Sequence, residues 1–466
     1  MMRKLFLPLC VFLIIITALL PLGQVQAQEI PEAPTYVVQP GDTLATIAAR
    51  FGVSVNDIIT ENNIVDANTI SVNAELRIPG LEGIQGRLTT SIVPLGSNYQ
   101  QILKTRQLSE KQFTKLNRIT SPAEIVTGVS LLMPEIDEEN ILSPYLTVKE
   151  NQTTLEAAVE LDQNPWSLLT INQQQGSWDM LASEQIFSPA IPDKKPLYPV
   201  SAYITGLEIA PLPLNQGQTT TVKIQTDQPI SITGSLAGHT LNFYQTENGE
   251  YVAIQGINGR EEPGLAEFQI NIQGADGFSS GYTQFLLVKA VNFGKLASLN
   301  VDPIMIDPAV TEPEENYVNA LISQVTPVQY WDAPFSAPTD DPCINAPYGT
   351  SRSYNNGAYY NFHTGVDFGV CAQNLNIYAP ANGVVVFAGP SNVRGNATII
   401  DHGQGIYSGL YHQSKILVNV GDQITQGALI GQIGNTGRST GPHLHWDLWA
   451  GGVQVDPLGW LNYSFP

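Results

Sequence analysis

Blocks of apolar residues with different spacings divide this chain into segments, and each spacing predicts its own kind of element. Residues 5–22 form an almost unbroken apolar run. From 35 to 79 the pattern changes to a short alternation at Tyr36-Val37-Val38, then turn residues Pro40 and Gly41, then Ile47, Ala48 and Phe51 at helical spacing. A second helix is expected over 54–62 and a closing strand over 75–79, with Thr43 and Ser54 placed as N-caps. This unit recurs weakly at an interval of 55 residues. Asn62, Asn117 and Asn172 follow the second helix of each copy, and Pro79, Pro134 and Pro189 close the copies. Copies are therefore expected at 35–79, 90–135 and 143–190. From 198 to 303, short alternating runs near 219–225, 231–236, 251–255, 266–272 and 284–291 predict a two-layer β-sandwich, with turns at Asn248-Gly249 and Asp276-Gly277. Residues 304–342, with Pro308, Pro313 and three nearby glutamates, read as a linker.

The last segment, 343–466, is rich in glycine and in strand-like runs at 383–388, 397–400, 405–411, 428–433 and 444–449, with no convincing long helix. In a strand, alternate residues share a face, so His443 and His445 are expected to project into a cleft while Leu444 and Trp446 enter the core. The fold class expected is multidomain and mainly β, with small α+β modules in front, a sandwich in the middle and an antiparallel β domain at the C-terminal end.

The first 27 residues read as a secretory signal. Arg3 and Lys4 precede the apolar run, and Val25-Gln26-Ala27 is a small-residue cleavage site. Cleavage there would leave no stable membrane anchor and place the protein outside the cell or in the envelope; an uncleaved anchor is the alternative. In that oxidising setting Cys343 and Cys371 are expected to pair, two free thiols being the bland reading. Cys10 lies in the apolar run and would leave with it. The chain carries a net charge of −21, but from Asp341 onward four cations face six aspartates. Nothing in this balance would displace counterions from phosphates, so nucleic acid is excluded as a partner.

The unit at 35–79 resembles a LysM domain, a module that binds polymers containing N-acetylglucosamine. Gly41-Asp42-Thr43-Leu44, Ile47-Ala48 and Asn62-Asn63 carry the likeness. The resemblance implies a sugar site formed by Gly41, Asp42, Thr43 and Leu44 with Asn63, Ile64 and Val65. The two later copies keep the spacing but not the loop: Ser97-Asn98 stands at Asp42-Thr43, and Asn151-Gln152-Thr153-Thr154-Leu155 in the third. They read as degenerate copies, spacers in preference to sugar binders. The alternating runs at 198–303 resemble an immunoglobulin-like sandwich. It shows no chemistry-bearing cluster, and His239 is expected to be a surface or satisfied histidine.

Chemistry concentrates at the other end. Five of the six histidines lie at His363, His402, His412, His443 and His445, and no glutamate follows Glu315. Imidazole and carboxylate are the ligands that zinc prefers. His363 and Asp367 stand four apart, spaced for a bent loop that returns to one centre, with Gly365 permitting the turn. Such a cluster without opposite charge to pair with predicts a metal site. Three protein ligands would leave a position for water, and with no glutamate available a histidine must move the proton. Either member of the pair His443 and His445 fits the ligand role on spacing alone.

These motifs resemble the lysostaphin-type (LytM-type) zinc endopeptidases. They are Phe362-His363-Thr364-Gly365-Val366-Asp367-Phe368, Ile400-Asp401-His402-Gly403, Tyr411-His412, and the run from Gly434 to His445 that ends in Gly441-Pro442-His443-Leu444-His445. The resemblance implies zinc held by His363, Asp367 and His445, with His412 and His443 as catalytic histidines. It implies hydrolysis of peptide cross-links in bacterial peptidoglycan. His402 is expected in a hairpin with no catalytic role. Arg352 stands one residue further from Gly349 than is usual in such proteins, and Gln413 replaces a common leucine. The alternative reading is a non-catalytic peptidoglycan-binding scaffold or activator of another hydrolase, against which the complete ligand set argues. Residues 418–431 also resemble the hairpins of biotinyl or lipoyl carrier domains, but Lys415 is not at a hairpin tip, so that function is set aside. Latency, with the N-terminal arm occupying the zinc, is a further expectation.

Overall fold

The computed structural model describes residues 34–66, 70–81, 83–84, 86–136, 141–194, 196–197, 200 and 203–466. The expected signal at 1–27 and Cys10 lie outside the described residues. No helix among the described residues is long and apolar enough to cross a membrane. The chain divides into two compact units, Met1–Leu88 and Thr89–Pro466.

In the first unit, the strands Thr35–Val37 and Glu75–Arg77 pair antiparallel around the helices Leu44–Phe51 and Val55–Glu61. Thr43 and Ser54 cap the two helices as expected, each side chain accepting from the backbone N–H three residues on. Gly52 ends the first helix in the left-handed conformation, φ 70°. Tyr36, Leu44, Ile47 and Ile58 form the small core.

The second unit opens with two further helix pairs, Tyr99–Thr105 with Glu110–Asn117 and Thr154–Glu160 with Pro165–Ile171. The repeating asparagines have one job in all three copies. Asn62 exchanges hydrogen bonds with the backbone of Arg77, Asn117 with that of Leu132, and Asn172 with that of Phe187, at 2.7–3.0 Å. Each side chain staples the second helix to the closing strand. That role is independent of any ligand, which explains why it persists where the Gly-Asp-Thr-Leu loop does not.

A β-sandwich follows. Its five-stranded sheet is built on Ile230–Leu236, Gly264–Gly274 and Ser279–Lys289, and its four-stranded sheet on Tyr251–Gly256, Thr219–Thr226 and Ile204–Ala210. Alternate residues such as Val222, Ile224, Phe268, Ile270 and Leu286 fill the space between. Gly249 and Gly277 turn their hairpins with φ of 83° and 88°.

The C-terminal domain is an antiparallel sheet in the order Ile344–Ala346, Gly365–Phe368, Leu444–Ala450, Ile406–Gln413, Gly395–Gly403, Gly383–Ser391, Gln423–Ile424. One face carries Leu444, Trp446, Leu448 and Leu410 into the main core with Trp460 and Phe368. Cys343 and Cys371 are joined in a disulfide.

The segment 304–342 corrects the linker reading. It contains the helix Pro308–Ile322, and Val318 and Ile322 pack on Ala397, Ile399, Tyr407, Tyr411 and Trp449 of the sheet's other face. Pro308 is compatible with a helix because the first turn has no partner for its missing N–H, and Asp307 caps it. Pro313 removes one interior bond, and tertiary packing outweighs that loss. Further on, Trp331 and Phe335 are 3% exposed and belong to the main core. The proline-rich stretch is therefore part of the C-terminal body.

Candidate metal centre and active site

The sheet register assembles the centre. Asp367 on Gly365–Phe368 lies opposite His445, and His445 lies opposite Tyr411 on the next strand. His363 arrives from the end of the ribbon formed by Ser351–Tyr354 and Tyr359–Phe362. Gly365 does not act as a turn residue. It begins a strand, and a Cβ there would lie 2.2 Å from the Trp446 carbonyl oxygen, so the requirement is close approach of two backbones.

His363 Nε2 and His445 Nδ1 each stand about 3 Å from Asp367 Oδ1, at 3.0 and 2.9 Å, and 3.1 Å from one another. The three ligand atoms lie within 4.8 Å of one another. Their second contacts set the tautomers. His363 Nδ1 donates to the Pro347 carbonyl at 2.9 Å, and His445 Nε2 donates to Asp447 Oδ1 at 2.9 Å. Both nitrogens that face Asp367 are then bare. Two lone pairs and a carboxylate oxygen facing each other at this range need a proton or a cation among them. A divalent metal with imidazole and carboxylate ligands fits the donor set. With a proton in that place, burial opposes the charge on Asp367, but hydrogen bonds from His363 and His445 hold its carboxyl well below the usual range. Burial likewise opposes charge on His445, yet Asp447 and Asp367 raise it to about 9.

Two further imidazoles face the same point. His412 Nδ1 donates to the Thr436 carbonyl at 2.8 Å, and His443 Nδ1 to the Gly441 carbonyl at 2.8 Å, so each presents a bare Nε2. Their ring centroids are 4.7 Å apart, and His443 Nε2 is 3.7 Å from Asp367 Oδ1. His412 sits in the left-handed region at φ 61°, a strained setting for a side chain with a Cβ. Burial, with His443 and His445 nearby, pulls its pKa down to about 3. His402 is elsewhere, fully buried and bonded to the Asn382 carbonyl and the Ser408 hydroxyl.

Asp447 escaped the sequence reading. It is 2% exposed and also accepts from Gln454 Nε2 at 3.1 Å. Its signal was available: 443, 445 and 447 share one face of a strand. Tyr411, which in the sequence stands out only as the neighbour of His412, stacks its ring on that of His445 at 5.5 Å and 6°. The Arg394 guanidinium lies 5.4 Å over the ring of Tyr411, held there by Glu314 and Glu315 of the 308–322 helix at 3.0 and 2.6 Å.

The expected sugar residues divide. Leu44 is 3% exposed and lies in the core. Asp42 Oδ2 accepts from the Tyr36 hydroxyl at 2.6 Å and the Gln39 N–H at 2.8 Å. Thr43 caps its helix. Gly41, Asn63 and Val65 are exposed, Val65 completely, and Ile64 is half-buried.

Residues 361–457 match the model of Peptidase family M23, and residues 36–79 that of the LysM domain. The chain is 40% identical over 96 residues to the peptidoglycan DD-endopeptidase ShyA of Vibrio cholerae, covering 21% of this chain and 22% of that protein. It is 36% identical over 115 residues to the DD-carboxypeptidase/endopeptidase Mpg of Neisseria meningitidis serogroup B, covering 25% and 26%. The chain thus spans about a quarter of the length of these curated relatives. Among solved structures, the catalytic domain of the antimicrobial peptidase lysostaphin from Staphylococcus simulans is 32% identical, with 27% of this chain and 95% of that one covered and a TM-score of 0.24. The chain therefore carries a LysM domain and a Peptidase family M23 domain, and the second of these contains the whole histidine–aspartate centre.

Proposed function

We propose that this protein is an exported, zinc-dependent endopeptidase that hydrolyses peptide bonds in bacterial cell-wall peptidoglycan and is held to its polymer by the LysM domain. One observation carries the reading: bare ring nitrogens of His363 and His445 and one oxygen of Asp367 converge, with two more bare nitrogens, from His412 and His443, facing the same opening. Zinc held by His363, Asp367 and His445 would supply Lewis acidity toward water and a peptide carbonyl at neutral pH. Asp447 fixes the tautomer of His445, and Pro347 that of His363. His412 and His443 are the groups that move protons, one taking a proton from water and one giving a proton to the leaving amine. No glutamate follows Glu315 in the chain, and of the two that reach the cleft from the 308–322 helix, Glu312 and Glu315, the second is paired with Arg394. The relatives named DD-endopeptidases favour a cross-link between D-centres as the bond cut.

In the LysM domain the sugar face is assigned to the Gly41–Leu44 backbone and the exposed side chains of Thr43, Asn63 and Val65, with Ile64 beneath them. The copies at 90–135 and 143–190 act as spacers. The test is incubation of the zinc-loaded protein with purified peptidoglycan and mass spectrometry of the released fragments. Peptide-bond cleavage should appear, stop with chelator and return with zinc. His412→Ala and His443→Ala should each keep the metal and lose on the order of 10²–10⁴ in rate. A zinc-loaded protein that releases no peptide-cleaved fragment from any peptidoglycan would overturn the reading.

A further inference from the structure

The cleft in front of the histidines has a volume of about 380 Å³, and four arginines line it: Arg260, Arg352, Arg394 and Arg438. Only Arg394 is neutralised, by Glu314 and Glu315. Among the described residues the other three form no ion pair, in a chain with 42 acidic side chains and a net charge of −21. Glu312 also reaches the cleft and pairs with none of them.

None of the three is held by a carboxylate, and two of them rest on aromatic rings. Arg438 lies over the rings of Tyr354 and Tyr359, at 5.4 and 5.9 Å. Arg260 lies 5.7 Å over Phe362, next in sequence to the ligand His363. The Nε of Arg352 is buried with no hydrogen-bond partner. A ring face holds a guanidinium plane without using its N–H groups; Arg438 gives one of them to the Met305 carbonyl at 3.5 Å, and the remaining edges match a carboxylate two bonds at a time. Arg260 belongs to the sandwich, on a loop locked against the C-terminal domain. The Gly259 N–H donates to the Tyr348 hydroxyl at 3.1 Å, and a Cβ at Gly259 would lie 2.4 Å from the Phe362 ring.

We propose that Arg260, Arg352 and Arg438 form a carboxylate-binding subsite that seats a free carboxylate of the cross-linked peptide beside the scissile bond. The inference rests on the endopeptidase reading above and narrows it. The substrate is an anionic peptide, a cross-link whose carboxylate is amidated is a poor one, and the sandwich takes part in choosing between them.

The test uses the full-length, zinc-loaded protein and two soluble cross-linked peptides that differ only in whether the carboxylate next to the scissile amide is free or a carboxamide. The free form should be preferred about 10- to 100-fold in kcat/KM, mainly through KM. Arg260→Met with Arg438→Met should bring the free form down to the rate of the amidated one and leave the amidated rate unchanged, whereas Arg438→Lys should keep part of the preference. Arg260 is exposed, so Arg260→Met alone offers a variant whose folding is not at issue. Equal rates on both peptides, or a variant that loses both in proportion, would overturn the proposal. Binding of labelled, uncleavable versions separates the two readings. Equal Kd values sink the subsite even when cleavage occurs, and a carboxylate preference without cleavage sinks only the endopeptidase.

Discussion

Asp447 touches none of the atoms that would hold a metal, yet it decides which nitrogen of His445 is bare. With the carboxylate gone, Nε2–H loses its acceptor, the ring is free to change tautomer, and His445 Nδ1 is no longer committed to the centre. Asp447→Ala should therefore weaken zinc binding about 10- to 100-fold, read by competition with a chromophoric chelator. His402 shows the opposite use of an imidazole. Burial, partly offset by its hydrogen bond to the Asn382 carbonyl, pushes its pKa down to about 4. The unfolded chain takes up a proton near pH 6.5 that the folded chain refuses, so the stability is complete above about pH 6.5 and is lost as the pH falls toward 4. The loss is about 3 kcal/mol, and it should appear as a falling Tm over that window. His402→Gln should flatten the slope even if it lowers Tm at pH 7; an unchanged slope would mean that another group carries it. The two histidines also mark the limit of reading residues one at a time. His363 and Asp367, with one of the pair His443 and His445, were legible from a crowded motif, whereas Asp447 was one aspartate among several whose sole signal was the alternation that puts it on the face of His445.

At the scale of elements, the strands were legible and the helix beside the site was not. Alternation in 444–450 and 406–413 announces one buried face and one site face, and the structure uses both. The helix Pro308–Ile322 hid behind two prolines and a row of glutamates, although Val318 and Ile322 stand one turn apart on its buried side. Those glutamates turned out to be working groups. Burial would raise the Glu314 carboxyl, but hydrogen bonds from Ser391, the Val393 N–H and Arg394 keep it below its ordinary range. Its side chain is 9% exposed and that of Arg394 12%, so screening by water is weak. Glu314→Gln should cost about 2–3 kcal/mol and lower Tm by several degrees. It should also reduce turnover, because Arg394 covers Tyr411 and Tyr411 backs His445. A variant with normal Tm and normal turnover would show that Glu315 alone secures Arg394. The arginine subsite was invisible for a different reason. Its members come from positions 260, 352 and 438, and only the docking of the sandwich loop on Tyr348 and Phe362 brings them to one opening.

Across the whole molecule, labour is divided between a small unit ending at Leu88, with a packed core of its own, and a large one that carries the cleft. In the small unit the side chains of Leu44 and Asp42 are consumed by packing and hydrogen bonding, and only a few groups remain to meet a sugar. Val65 is the most telling of these, because a fully exposed apolar side chain has no folding role to lose. Along the chain, two copies without the loop, spaced 55 residues apart and each keeping its asparagine staple, and then the sandwich stand between this module and the C-terminal domain. If tethering is its contribution, it raises the local concentration of an insoluble polymer and does nothing for a small dissolved peptide. Val65→Asp should then leave the rate on a soluble cross-linked peptide unchanged, and lower both retention on insoluble peptidoglycan and the rate of its solubilisation by about tenfold. The comparison of the two substrates is the decisive part. A loss on both would mean that the substitution damages the fold, and a loss on neither would leave the LysM domain without a part in targeting, so that the cleft itself must find the polymer through its arginines.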